Sequence, residues 1–103
     1  MKIHGLKNCD TCRKAAKALG AELRDVRAEP LSAAELARFL GAFGEALVNR
    51  RSTTWRGLSE AERDGAPAAL LEAHPSLMKR PVIEDGDALH LGWGKDVQAA
   101  LLG

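Results

Sequence analysis

Apolar positions along this chain change their spacing several times, and each change marks an element. Cys12, Ala15, Ala16 and Leu19 recur at i, i+3, i+4 and i+7, the stripe of an amphipathic helix over residues 11–19. Gly20 follows where a C-terminal glycine ends such a helix. Residues 1–6, with Ile3 and Leu6 apolar, read as a short strand before it, and residues 22–26, with Leu23 and Val26, as a second strand after it. Gly5 and Asn8 read as turn formers between strand and helix. A strand, a helix and a strand in this order make the two strands parallel.

Residues 27–30 are an exit loop ending at Pro30. Ser32 and Glu35 form a capping box and Leu31 can staple onto Leu36, so a helix starts here, with Leu36, Phe39, Leu40 and Phe43 on its apolar face and Gly44 as its stop. From 46 to 56 no period is sustained, and the stretch reads as a loop plugged by Trp55. Ser59 and Glu62 repeat the capping box for a short helix through Asp64. Pro67, at a first helical position, opens another that carries Leu70 and Leu71 and ends at His74-Pro75. Val82-Ile83-Glu84 is a strand, Asp85-Gly86 a two-residue hairpin signal, and residues 88–91 the returning strand. Gly92-Trp93-Gly94 turns the chain into a closing helix over 95–102, with Val97, Ala100 and Leu101 on its apolar side. The order β-α-β, helices, β-β-α is an α/β arrangement: a thioredoxin-like fold with a central helical insertion, its small mixed sheet flanked by helices. The length, 103 residues, suits one domain over 1–103 with a single modest core.

Charge narrows the partners. Fifteen basic and 14 acidic residues are interspersed to a net charge of +1, so no polyanion-binding surface of the nucleic-acid type is expected. The first residues lack the apolar core of a signal peptide and no apolar run approaches a membrane span. A cytoplasmic protein is expected, and in that reducing compartment Cys9 and Cys12 point to catalysis or redox sensing more than to a structural disulfide.

Cys9 falls at the junction of strand and helix, where Asn8 or Asp10 can cap the first free N–H groups. A helix N-terminus favours negative charge by roughly 0.3–1 kcal/mol when exposed and up to about 2 kcal/mol when partly buried. At about 1.4 kcal/mol per pKa unit, that alone lowers a thiol by about half a unit to slightly more than one. Lys7, Arg13 and Lys14 push the same way and Asp10 opposes them. The thiolate is the reactive form, so Cys9 is the candidate nucleophile. Cys12 is the candidate resolver of a mixed disulfide, provided the first turn lets the sulfurs approach. The competing reading makes Cys12 a small buried hydrophobe, since it is in phase with the apolar face. Zinc would need four ligands, and His4, His74 and His90 are scattered, so no metal site is expected.

Four stretches carry a resemblance: Gly5-Leu6-Lys7-Asn8-Cys9-Asp10-Thr11, Asn49-Arg50-Arg51-Ser52-Thr53-Thr54-Trp55-Arg56, His74-Pro75-Ser76-Leu77-Met78-Lys79-Arg80-Pro81-Val82 and Leu91-Gly92-Trp93. Together they resemble the arsenate-reductase-like group of thioredoxin-fold proteins (the ArsC, Spx and YffB relatives), most of all its short YffB-type members. The resemblance implies a nucleophilic Cys9, a cis peptide bond at Pro81 facing it, and an anion-holding Arg80, for which a solvated strand-entry residue is the competing reading. Asn8, Asp10, Thr11 and Pro81 are the candidate substrate-binding positions beside them. Of Arg50, Arg51 and Arg56, Arg51 is the candidate for reaching the site, surface solvation being the alternative for each. Trp55 and Trp93 read as packing anchors.

YffB-like relatives are regarded as glutathione-dependent thiol reductases, which makes glutathione, or a glutaredoxin-type reductant, the implied thiol partner, with no bound cofactor and a small-molecule or thiol substrate. Arsenate reductases of the group cradle the oxyanion with three arginines. Only Arg80 matches one of these; Asn49 stands near a second, and the Gly92-Trp93 region offers none, which argues against arsenate turnover. YffB-like members commonly lack the second cysteine, whereas Spx-like regulators carry a C-x-x-C, so monothiol and dithiol chemistry both stay open. The sequence therefore supports a cytosolic oxidoreductase first and, second, an Spx-like redox switch that binds RNA polymerase.

Overall fold

Strand β1 (Lys2–Gly5) lies inside a four-stranded sheet in which β2 (Glu22–Asp25), β1, β3 (Val82–Asp85) and β4 (Ala88–Leu91) stand side by side in that order. The computed structural model describes residues 1–103 and gathers them into two units, Met1–Glu29 with Arg80–Gly103, and Pro30–Lys79. In the first unit β1 pairs in parallel with β2 (Glu22–Asp25), Ile3 opposite Leu23 and Gly5 opposite Asp25. On its other side it runs antiparallel to β3 (Val82–Asp85), which forms a hairpin with β4 (Ala88–Leu91). The parallel pair follows from the crossover helix α1 (Asp10–Leu19).

Ile3 and Ile83 face each other across the β1–β3 pair and meet Ala15 of α1 and Val97 of α6 (Lys95–Leu102) in a buried core rimmed by Leu19, Leu23, Trp93 and Leu101. Each buried isoleucine stabilises by roughly 1.5–3 kcal/mol, and a one-residue slip of either strand would turn it to the opposite face. Those two burials pin the register. Helix α1 ends at Gly20, whose left-handed φ of 60° lets its N–H reach the carbonyls of Ala16 and Lys17.

Several local readings change. The first strand stops at Gly5, so Gly5 is extended backbone inside the sheet and not a turn former. The hairpin loop is Gly86-Asp87, one residue later than the Asp85-Gly86 signal, because Asp85 still pairs with Ala88. Gly86 supplies the positive φ of 61° at the first loop position, as a glycine-led hairpin turn requires. Ala100 is exposed, leaving Val97 and Leu101 as the inward side of α6.

The second unit is the helical insertion between β2 and β3. Helix α2 (Ala33–Phe43) begins at the Ser32–Glu35 capping box and ends at Gly44, φ 57°. A 3-10 turn (Gly44–Leu47), α3 (Thr53–Arg56), α4 (Glu60–Arg63), α5 (Pro67–Ala73) and a second 3-10 turn (Pro75–Leu77) follow. The stretch 46–56 is thus not a plain loop. Ser52 accepts the Trp55 N–H and starts a helix of four residues, too short to show a period. Val48 and Met78 form an antiparallel bridge, sealed by Asn49 N–H to Leu77 O and Lys79 N–H to Leu47 O, both 2.7 Å. The guanidinium groups of Arg50 and Arg63 lie 5.5 and 5.6 Å from the Trp55 ring centre, so Trp55 is an anchor for two cations. No helix of the chain is long and apolar enough to cross a membrane.

Candidate active site around Cys9

Leu6 to Cys9 make the turn that delivers the first cysteine. Leu6 O accepts the Cys9 N–H at 3.1 Å, and Cys9 O accepts the Arg13 N–H at 3.0 Å, which opens α1. Cys9 is therefore itself the N-cap, in extended conformation at φ −95° and ψ 119°, with no side-chain cap on the helix. Neither Asn8 nor Asp10 serves as the cap expected of them. Asn8 Oδ1 accepts from the Arg27 guanidinium at 3.2 Å, and Asp10 is paired with Arg13. With those oxygens engaged elsewhere, neither side chain competes for the N–H of Cys12, which goes to the Cys9 sulfur.

Partial burial pushes the Cys9 thiol up. The Cys12 backbone N–H, the Cys12 thiol and the Arg80 guanidinium all donate to its sulfur, and the Arg80 charge adds to them; their sum outweighs burial and leaves Cys9 below its ordinary value. Cys12 has the opposite balance. It is fully buried beside Ala15, and burial, with only partial relief from the Leu6 N–H and further opposition from Cys9, pushes it up to about 11. The pair thus consists of a thiol that ionises readily and a thiol that holds its proton against it.

Arg80 and Pro81 reach this site from the entrance to β3. The Arg80–Pro81 peptide bond is cis, Pro81 is buried, and its carbonyl accepts the Gly92 N–H at 2.8 Å. Arg80 is half-buried with its guanidinium on the Cys9 sulfur, so it is not a solvated strand-entry residue. Asp10 and Thr11 are exposed in the first turn of α1. Arg51 belongs to the second unit, where its own N–H donates to Asn49 Oδ1 and its side chain lines an open recess of about 580 Å3 with Asn49, Arg50 and Lys79.

Two contributors escaped the sequence reading. Asp25, at the end of β2, accepts the Lys7 N–H at 3.0 Å with one oxygen and the Arg27 and Ala28 N–H groups at 2.9 and 3.3 Å with the other. It ties down the turn before Cys9, and those bonds, the Lys7 N–H foremost, hold its carboxyl below the usual range. An Asp followed by a polar exit loop was the available signal. Gly5 is the second, and nothing in the sequence marks it beyond its being glycine.

The model of the ArsC family matches residues 4–101. An uncharacterized protein of Haemophilus influenzae is 40% identical over 95% of this chain and 96% of its own length. Among solved structures, the YFFB (PA3664) protein superposes with a TM-score of 0.86 at 33% identity over 99% of this chain and 98% of the other. An arsenate reductase (ArsC) related protein from Brucella melitensis gives 0.71 at 39% identity over 98% and 92%. A family match that runs from β1 into α6, on a sheet and helices of the same arrangement, establishes that this chain belongs to the ArsC family.

Proposed function

We propose that the protein is a cytoplasmic, glutathione-dependent thiol reductase in which Cys9 is the nucleophile. The observation that carries this reading is the convergence of the Cys12 N–H, the Cys12 thiol and the Arg80 guanidinium on one sulfur at the mouth of α1. The Cys9 thiolate attacks an oxidised sulfur of the substrate, a Cys9 mixed disulfide forms and the other sulfur leaves as thiolate. A glutathione thiolate then attacks the adduct, returning Cys9 as thiolate and carrying the substrate sulfur away as a glutathione disulfide. Every step is thiol–disulfide exchange, so no further oxidant or reductant is consumed. Arg80 orients the anionic partner, and the N–H groups of the first turn, at Asp10 and Thr11, stabilise charge on the incoming group.

Resolution falls to glutathione because Cys12 is buried and protonated. Burial foremost, then the free Cys9 beside it, raises Cys12 to about 11, so it enters the cycle protonated, and only the thiolate attacks a disulfide. The reading is tested by brief peroxide treatment, addition of glutathione and mapping of the modified residue by mass. Peroxide converts Cys9 to its sulfenic acid, and glutathione displaces water to leave a mixed disulfide. Glutathione on Cys9 with Cys12 unmodified is the expected result. A Cys9–Cys12 disulfide with no adduct overturns it in favour of a redox switch, for which RNA polymerase retention in oxidised and reduced states is the next measurement.

A further inference from the structure

Gly5 ends β1 in ordinary extended backbone, outside the set of glycines with positive φ. Any residue could adopt its conformation, and a glycine inside a strand lowers stability, having more chain entropy to lose and no side chain to pack. The reason for glycine must therefore lie in what abuts it. A Cβ at this position would stand 2.4 Å from Cys12 Sγ and 3.4 Å from Cys12 Cβ, whereas Arg80 Cβ, at 3.7 Å, would be in ordinary contact. The Cys12 sulfur rests on the bare Cα of Gly5.

That sulfur has little room to yield. Cys12 is 0% exposed and shares its helix face with Ala15, which is locked into the Ile3–Ile83–Val97 core. Nonbonded heavy atoms settle at roughly 3.5–4.0 Å, so a methyl group on Gly5 would displace Sγ by more than about 1 Å. The thiol in question accepts the Leu6 N–H and donates to the Cys9 sulfur. Gly5 and Leu6 thus form the seat from which Cys12 addresses Cys9.

We propose that Gly5 is a positioning residue for the Cys9 thiolate, acting through Cys12: the absent side chain lets the buried Cys12 thiol sit where it donates to Cys9. The inference rests on Cys9 as nucleophile and concerns its acidity only. It alters no charge, since the groups acting on Cys9, namely Cys12 and Arg80, are both kept when Gly5 changes. It also gives Cys12 a role as a fixed proton-bearing donor, apart from either resolving a disulfide or filling the core.

The test is the pH dependence of Cys9 alkylation, mapped by mass, in the unaltered chain, Gly5→Ala, Cys12→Ala and the double variant. Gly5→Ala moves the Cys9 midpoint upward by about one pH unit, tenfold less thiolate at fixed pH, as expected for loss of one hydrogen bond to a charged group. Cys12→Ala does the same. The double variant matches Cys12→Ala, because without Sγ the alanine at 5 meets Cys12 Cβ at 3.4 Å and Arg80 Cβ at 3.7 Å, both ordinary contacts. An unchanged midpoint in Gly5→Ala, or a double variant shifted beyond Cys12→Ala, overturns the proposal. If Gly5→Ala fails to fold, recovery of folding in the double variant together with an upward-shifted Cys9 midpoint in Cys12→Ala sustains the assignment, and failure of either removes it. The unaltered chain separates this from the functional reading: a midpoint there no lower than that of an ordinary thiol refutes Cys9 as the activated nucleophile, whereas only the difference between variants bears on Gly5.

Discussion

The mouth of α1 and its inward flank carry the same side chain with opposite acid strength. Cys9 is half-buried among donors and lies below its ordinary value; Cys12, one turn further on, is fully buried and lies at about 11. Both feel the Arg80 charge and both belong to one helix, but only Cys9 takes hydrogen bonds from the Arg80 guanidinium and from the N–H of the helix end. Burial raises both, more completely at Cys12; those donors reverse it at Cys9 alone, and the direction of the shared hydrogen bond widens the gap, since the proton that Cys12 keeps is the one that steadies the charge on Cys9. A C-x-x-C spacing is therefore an instruction about geometry, and the acid strengths come from what the sheet places behind each sulfur.

The contrast can be broken most completely at Cys9. Cys9→Ser should reduce alkylation at about pH 6 to background and abolish thiol-transfer turnover, whereas Cys12→Ser keeps measurable labelling at Cys9. Equal labelling of the two variants would erase the distinction. Next in size, Arg80→Ala should raise the Cys9 midpoint by about one pH unit through loss of a charge-assisted bond and raise KM for glutathione, with the circular dichroism spectrum unchanged. An unaltered midpoint and KM would remove Arg80 from the site.

The buried partner is probed by alkali. A thiol raised from 9.0 to about 11 in the folded chain is protonated in the native state and ionised in the unfolded one between those values. The native state then binds more protons, so stability falls as pH rises through that window. Urea midpoints at pH 8 and near pH 11 should therefore converge between the unaltered chain and Cys12→Ala, the lysine titrations being common to both; a constant gap would deny the raised value. The smallest effect is expected at Asp25. Its depressed pKa means the unfolded state binds more protons below about pH 4, so its contribution is present above that value and is lost as pH falls through the folded one. Asp25→Asn should flatten that acid limb and slow Cys9 alkylation a few-fold by loosening the Lys7–Asn8 turn; an unchanged acid limb would dismiss the clamp.

How much of this could be read in advance depended on whether a residue's role was local. The capping boxes at Ser32 and Ser59, Pro67 at the start of α5 and Gly20 and Gly44 as helix ends are decided within a few residues, and they stand as read. The parallel β1–β2 pair followed from chain order alone. Asn8 and Asp10 misled because their partners, Arg27 from the loop after β2 and Arg13 from the same helix, compete with capping and win. Residues 53–56 misled because four residues cannot display a helical period. Gly5 could not have been read at all. Its meaning is a distance to a sulfur on another element, and no spacing along the chain records that.

The placement of Arg80 bears on the life of the molecule before it is folded. Cys9 and the guanidinium that acts on it lie near opposite ends of the sequence, with the whole helical insertion between them. On the ribosome the cysteine emerges early and its cation late, so the growing chain carries Cys9 without the Arg80 charge. The Arg80 share of the Cys9 acidity comes only when β3 takes its place beside β1, so that share belongs to the assembled sheet and not to the C-x-x-C segment itself.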